Sequence, residues 1–466
     1  MSVENTHHTS AEISSALAGK TKLWFIGIGG IHMCALAMIS RARGFFVAGS
    51  DRAENENTAR LRRAGIAVYQ RHDAAQMAEF DAVIYTLAIT KDNPEYLAAK
   101  RLGLPLFSRA DYLGYLMHAH PSRIGVAGSH GKSTTTAMLG EIFDVAGRAP
   151  NVVCGAEMRR FGAPFAMCGG NDFIFEACEY GNSFLSLSPT LAVILNAELD
   201  HVDFFTDKDM LLRAFGSFAE SAGQAVVPAD DAALQGALPE GLLCFRFGLT
   251  EQADYRAVAL SVSGGIYSFD LIFPRGAVGR LTLGVAGLHN VKNALAAAAA
   301  ADLSGVGAAD ILVALSGFRG AKRRMEYRGI FCGARVFDDY AHHPTEIAAT
   351  LTLVREMVAD GRVFAVFQSH TFSRTAAFFE EICRALALAD RVLVADIYPA
   401  RETDTLGMSA ARLAAGTGAH AAYVGGLSDI TATLARELLP GDLVVVMGAG
   451  DIDRIFGEFS KKHFTL

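Results

Sequence analysis

Arg123-Ile-Gly-Val-Ala-Gly-Ser-His-Gly-Lys-Ser-Thr-Thr-Thr136 is the stretch whose reading decides the fold. The apolar run Ile124 to Ala127 predicts a strand, and Gly128 to Gly131 a glycine-rich turn. The apolar spacing of Ala137, Met138, Leu139, Ile142 and Phe143 predicts a helix that begins at Lys132. Strand, glycine turn, Lys-Ser and helix are the parts of a phosphate cradle. The turn lets backbone N–H groups converge on phosphate oxygens, and the helix dipole favours anions at that end. The long form of this motif has a glycine six residues before the lysine, where Val126 stands, so the match is to the shorter Gly-x-x-Gly-Lys-Ser. The competing reading is an ordinary strand–helix turn whose glycines serve packing. Lys132, with Ser133 and three threonines behind it, decides for a nucleoside triphosphate: the ammonium meets the outer phosphates and the hydroxyl a magnesium ion.

A chain of 466 residues with 51% hydrophobic content has material for several cores. Its predicted class is α/β, in three domains: a Rossmann-like N-terminal domain, a phosphate-loop ATPase-like central domain with an antiparallel patch, and a Rossmann-like C-terminal domain. The expected boundaries are a flexible tail at 1–21, then 22–120, 121–322 and 323–466. No apolar run reaches the roughly 18 residues of a membrane span. The polar first residues lack a secretory pattern, which gives a cytoplasmic expectation. A net charge of −7 without basic blocks speaks against nucleic acid as a partner. Seven scattered cysteines with no C-x-x-C pair suit reduced thiols.

Lys22-Leu-Trp-Phe-Ile-Gly-Ile-Gly-Gly-Ile-His-Met33 predicts a strand running into a second glycine turn, and Phe45 to Asp51 the next strand, closing with Ser50 and Asp51. This is the opening of a dinucleotide fold, but His32 replaces the third fingerprint glycine. Phosphate near the turn is therefore the firmer expectation than NAD. Two further apolar runs end in polar residues: Phe173 to Glu176, and Leu191 to Asn196 with Asp200 and His201 after it. Polar groups at carboxyl ends of strands collect beside a phosphate loop, so Glu176 and His201 are candidate metal ligands with Ser133; capping is the alternative for each. Tyr255 to Val285 reads as short antiparallel strands. Gly287-Leu-His-Asn-Val-Lys-Asn293 opens an alanine-rich helix that His289 and Asn290 would cap, while Asn293 would face a base. Beyond Arg323, four strands alternate with helices, and a polar cluster, Asp338-Asp-Tyr-Ala-His-His343, ends the first. His342 and His343 lack a third ligand at helical spacing, which disfavours a metal pair.

Eight motifs in one order make the chain resemble the Mur ligases, ATP-dependent amide-forming enzymes of peptidoglycan precursor synthesis. They include Gly-Ile-Gly-Gly-Ile-His-Met, Gly-Ser-His-Gly-Lys-Ser-Thr, Glu-Ala-Cys-Glu-Tyr, Asp-His-Val-Asp, His-Asn-Val-Lys-Asn and Gln-Ser-His-Thr-Phe-Ser-Arg-Thr. The resemblance spans roughly residues 22 to 458 and implies the following roles. Gly27, Gly29, Gly30, Ile31, His32, Met33, Ser50 and Asp51 would hold the UDP part of a UDP-N-acetylmuramate substrate. Gly128, Ser129, His130, Gly131, Lys132, Ser133 and Thr134 would hold ATP phosphates, with Mg²⁺ on Ser133, Glu176 and His201. His289, Asn290 and Asn293 would border adenine, Arg324 and Asp339 would reach the nucleotide, and His343, His370 and Arg374 would line the amino acid. Lys132, Arg324 and His201 would carry the chemistry. The nearest likeness within the family is to the activity that adds L-alanine. The competitor attaches a whole tripeptide to the same nucleotide, and an NAD-dependent oxidoreductase is the distant alternative. No lysine clearly stands where several sister ligases carry a carbamylated one, and Thr371 stands where many have arginine.

Overall fold

The computed structural model describes residues 3–276, 278–358, 360–400, 402–459 and 464–465. Two compact units divide them. One holds the residues up to Ala197 with Leu211–Asp254 and Ala296–Ile311; the other holds Glu198–Met210, Tyr255–Leu295 and the residues from Leu312 onward.

In the first unit, β1 (Lys22–Ile26), β2 (Phe46–Ser50), β3 (Ala67–Tyr69), β4 (Ala82–Tyr85) and β5 (Leu106–Ser108) form a sheet ordered β3-β2-β1-β4-β5. Every pairing in it is parallel. Leu23, Trp24, Phe25 and Ile26 are all buried, as a strand covered on both faces requires. Gly27 follows β1 with φ 79°, a turn open to glycine at no steric cost, and the helix Ile31–Ala42 begins beyond Gly30. The expected loose tail is instead partly ordered. A helix runs Ser10–Leu17, started by a capping box between Thr9 and Glu12 and buried through Ile13 and Leu17. Thr-x-x-Glu ahead of apolar residues four apart carries that signal; composition alone hid it.

The same unit continues with β6 (Ser122–Ala127), β7 (Asn151–Met158), β8 (Ala163–Met167), β9 (Asp172–Glu176), β10 (Leu191–Ile194), β11 (Gln224–Pro228) and β12 (Leu243–Gly248). They lie in the order β12-β11-β10-β6-β9-β7-β8, parallel except for the β7–β8 hairpin. The phosphate-loop strand β6 is thus central, flanked by the two strands with polar ends, β9 and β10.

The second unit carries an antiparallel meander of β13 (Tyr255–Ser263), β14 (Ile266–Ile272) and β15 (Val278–Ala286), as the turn signals predict. The helix Leu288–Leu303 begins there. Its main sheet comprises β16 (Glu326–Phe331), β17 (Ala334–Asp339), β18 (Val363–Phe367), β19 (Arg391–Ala395), β20 (Ala421–Gly425), β21 (Leu443–Met447) and β22 (Phe464–Thr465), ordered β20-β19-β18-β21-β17-β16-β22. The four strands expected here form its parallel centre, β19-β18-β21-β17. The three that composition missed are the outer ones: β16 is interrupted by Arg328 and Gly329, β20 carries only the short run Ala421 to Val424 and is half-buried, and β22 has two residues. Along β18, Val363, Ala365 and Phe367 enter one core, while Phe364 and Val366 enter the other. The period of two on a doubly covered strand produces that split.

All seven cysteines are free; Cys168 is exposed, Cys34, Cys154 and Cys383 are buried, and the other three are intermediate. Among the described residues no helix is long and apolar enough to cross a membrane.

Candidate active site

In the first unit, β6 delivers the chain into the loop Gly128–Gly131, and the helix Lys132–Val145 starts from Gly131 at φ 84°, a left-handed conformation suited to glycine. The loop is clamped from β10: His130 N donates to Asn196 Oδ1 at 2.9 Å, and Asn196 Nδ2 donates to His130 O at 3.1 Å. Lys132 Nζ donates to Gly128 O at 2.5 Å and to Glu179 Oε2 at 2.9 Å. Glu179 is buried and Lys132 keeps only a small part of its side chain exposed. Burial opposes the ammonium, but Glu179 foremost, with Cys178 and Glu176, holds the Lys132 pKa above the ordinary lysine range. Lys132 is a cation at every relevant pH.

Ser133 Oγ donates to Glu176 Oε2 at 2.8 Å, and Gly155 N on β7 donates to the same oxygen at 2.6 Å. A Cβ on Gly155 would lie 2.5 Å from that oxygen, so the carboxylate fits only because the residue is glycine. A buried hydroxyl beside a buried carboxylate offers hard oxygen donors of the kind that Mg²⁺ takes.

The other glycine turn reaches the same neighbourhood. His32 Nδ1 faces Arg109 Nη1 at 3.1 Å. Since guanidinium only donates, Nδ1 must accept and Nε2 must carry the proton. That Nε2–H is buried with no partner among the described residues. Burial foremost, with Arg109 and Lys132 adding to it against Glu176, pushes His32 down to about 4. Gly29 N donates to Asp51 Oδ2 at 2.8 Å. Ser50 turns inward instead: its hydroxyl donates to Glu95 Oε2 at 2.6 Å and lies 2.8 Å from His72 Nδ1. What Ser50 gives the turn is its carbonyl, which accepts from Gly27 N and Ile28 N at 2.8 and 3.0 Å.

The remaining expected residues belong to the second unit, His201 included, while Ser133 and Glu176 belong to the first. His201 N donates to Asp200 Oδ1 at 2.7 Å, and His201 has φ 52°, uncommon for a non-glycine residue. Arg374 is neither a helix cap nor a surface cation. It is buried in the short helix Phe372–Ala377, with Nε and Nη2 on Asp200 Oδ1 at 3.0 and 2.9 Å. Burial alone would raise Asp200, but His201, Arg374 and His342 hold it well below the carboxylate range. Arg374 Nη1 faces His370 Nδ1 at 3.2 Å, so that imidazole is an acceptor there; it is stacked on Tyr398 and, mainly by burial, pushed down to about 3. Thr371 between them has φ 68° and ψ 147°, a region that a β-branched residue enters only under constraint. Its N–H donates to Tyr398 O at 2.8 Å and its carbonyl accepts from Thr375 Oγ1 at 2.6 Å.

His343 caps the helix Pro344–Met357 in a capping box with Glu346. His342 Nδ1 lies 2.9 Å from Tyr340 O and 3.2 Å from Glu346 Oε2, two acceptors that place the proton on Nδ1. Burial, despite Glu346, lowers His342 to about 4, so it is neutral near pH 7. Asp339 accepts from Ala341 N and Met325 N at 2.8 and 3.0 Å, and burial raises it to about 6. Arg324 lies over the Tyr340 ring at 5.2 Å. Asn290 Nδ2 reaches back to Ala286 O at 2.7 Å and Asn293 Nδ2 reaches Asn290 Oδ1 at 3.1 Å, so both amides serve the helix start. Burial lowers His289 beside them to about 4. Sequence reasoning passed over Glu179, Arg109 and Gly155. Glu179 stands just before the short helical segment Tyr180–Ser186, three residues past β9, and Gly155 lies within β7; only the fold supplies their partners.

Three family profiles tile the chain. They are described as Mur ligase family, catalytic domain (residues 22–121), Mur ligase middle domain (126–301) and Mur ligase, glutamate ligase domain (323–450). The chain is 41% identical to the UDP-N-acetylmuramate–L-alanine ligase of Caldicellulosiruptor bescii, over 95% of this chain and 98% of that protein. The protein of the same name from Lachnospira eligens is also 41% identical, over 94% and 97%. Among solved structures, the UDP-N-acetylmuramate–alanine ligase of Thermotoga maritima matches with a TM-score of 0.82 at 28% identity, over 95% and 98% of the two chains. A murein peptide ligase from Psychrobacter arcticus matches at 0.72 and 25%, over 93% and 97%. The three-domain α/β fold, its phosphate loop and its relatives agree, and the chain belongs to the Mur ligase family.

Proposed function

We propose that this protein is an ATP-dependent, ADP-forming ligase that joins L-alanine to the carboxylate of UDP-N-acetylmuramate in peptidoglycan precursor synthesis, in the cytoplasm. The observation that carries the reading is the buried Lys132–Glu179 and Ser133–Glu176 pairing at the head of the phosphate-loop helix. Identity of 41% along nearly the whole length with ligases of that name supports it.

The γ-phosphoryl group of ATP passes to the carboxylate, a poor acyl donor, with ADP as the leaving group; the amine of L-alanine then attacks the carbonyl carbon of the acyl phosphate, loses a proton, and displaces inorganic phosphate as the amide forms. Lys132 holds a fixed positive charge where the transferring group gathers negative charge. Ser133 and Glu176, with His201, would ligate Mg²⁺, which neutralises phosphate oxygens. The Nε2–H of His32, the Gly27–Met33 turn and Asp51 would receive the UDP part. Arg324 and Asp339 would meet the nucleotide, with His289, Asn290 and Asn293 bordering its base. Arg374, His370 and His343 would receive the amino acid. The domain division 22–120, 121–322 and 323–466 goes with these roles: UDP, ATP and amino acid in turn.

An ADP-release assay with ATP, Mg²⁺ and UDP-N-acetylmuramate tests the whole. Turnover should appear with L-alanine and be weaker with glycine or L-serine. Preference for the L-alanyl-γ-D-glutamyl-diaminopimelate tripeptide would move the assignment to the peptide ligase, and NAD⁺ reduction would sink it.

A further inference from the structure

We infer that Asp200 is a positioning residue for amino-acid selection: it locks Arg374 by its side edge so that the guanidinium presents its end to an α-carboxylate. The inference deepens the proposed ligase reading and rests on it.

A guanidinium has five N–H donors in one plane. Asp200 Oδ1 takes the Nε proton at 3.0 Å and lies 2.9 Å from Nη2 in the same ion pair, and His370 Nδ1 takes one Nη1 proton at 3.2 Å. That leaves one proton on Nη1 and at least one on Nη2. Those two nitrogens form the end of the fork, the edge that receives a carboxylate through two parallel bonds. Asp200 is itself fixed, because His201 N donates to the same Oδ1 at 2.7 Å. Both side chains are less than a tenth exposed, so the side-edge pair cannot be traded for water without a cost. The strained Thr371 backbone holds the base of the arrangement, since Thr371 Oγ1 accepts from Arg374 N at 3.4 Å.

The alternative is that Asp200 merely neutralises a buried arginine. The two roles separate on a substrate that lacks the carboxylate. L-alaninamide keeps the amine and methyl group of L-alanine but offers the guanidinium end one neutral carbonyl oxygen in place of a two-oxygen anion. The wild-type protein should prefer L-alanine to L-alaninamide strongly in kcat/KM. Asp200→Asn should raise KM for L-alanine about tenfold or more, leave KM for ATP and UDP-N-acetylmuramate within about twofold, and shrink the alanine-to-alaninamide preference by a similar factor. Asp200→Glu keeps the charge, and with it the neutralised arginine, but displaces the carboxylate by a methylene; the preference should fall there too, with the unfolding midpoint near that of the parent. If both variants slow the two amines equally, or if Asp200→Glu restores full discrimination, the positioning role is overturned. Absence of ADP release from the wild-type protein with any amine would overturn the ligase reading instead, a different result from either.

Discussion

Lys132 and Glu179 illustrate how much a single residue's meaning depends on its partner. The ion pair is largely buried, and breaking one side leaves an uncompensated charge. Lys132→Met should therefore lose turnover by orders of magnitude and also lose roughly 3 kcal/mol of stability in urea unfolding. Adding Glu179→Gln should restore most of that stability and none of the turnover. Recovery of activity in the double variant would make the lysine structural. The role of Lys132 is legible in sequence because a phosphate cradle is built from consecutive residues. Glu179 is 47 residues away and Asp200 is 174 residues from Arg374, so neither pairing leaves a local trace. The partners of Ser50 are equally invisible in sequence: its hydroxyl meets His72 and Glu95, 22 and 45 residues away.

Among the elements, the strands that decide function were the easiest to foresee. β6, β9 and β10 are central, and their apolar runs, 124–127, 173–175 and 191–194, are buried, so the polar residues that close β9 and follow β10 stand out. β16, one strand in from the β22 edge, lacks that contrast, and β20 at the other edge is only half-buried. The functional weight of β7 was invisible, since it lies in one glycine that admits the Glu176 carboxylate. Gly155→Ala would crowd that carboxylate away from Ser133, so the Mg²⁺ concentration for half-maximal ADP release should rise about tenfold or more while the helix and sheet content in circular dichroism stays unchanged. An unaltered Mg²⁺ requirement would remove Glu176 from the metal site.

For the whole molecule, acid is the informative stress. His32, His289 and His342 are held down to about 4 and His370 to about 3, chiefly by burial. An unfolded histidine titrates near 6.5, so the stability these four contribute is complete above about pH 6.5 and is lost as pH falls toward 4. Asp338 and Asp339 act in the opposite sense, because burial raises them to about 7 and about 6 and the folded chain there keeps protons that the unfolded chain has released. Four against two leaves a net loss of stability on acidification. His32→Gln should flatten the slope of unfolding free energy between pH 4.5 and 6 by about one proton, and Asp338→Asn should steepen it by about one. Equal slopes in both variants would show that these groups are not held as described.

The thiols supply a clock for the same transition. With one cysteine exposed, three half-sheltered and three sealed in, a native chain offers a colourless disulfide reagent one prompt reaction, at Cys168, and even that thiol is held slightly less acidic than usual by burial and by Asp144. A chain opened by denaturant offers seven. The released chromophore should therefore arrive as one equivalent promptly and the deepest three only at the rate of global opening, which would turn an ordinary colorimetric titration into a record of how often the fold comes apart.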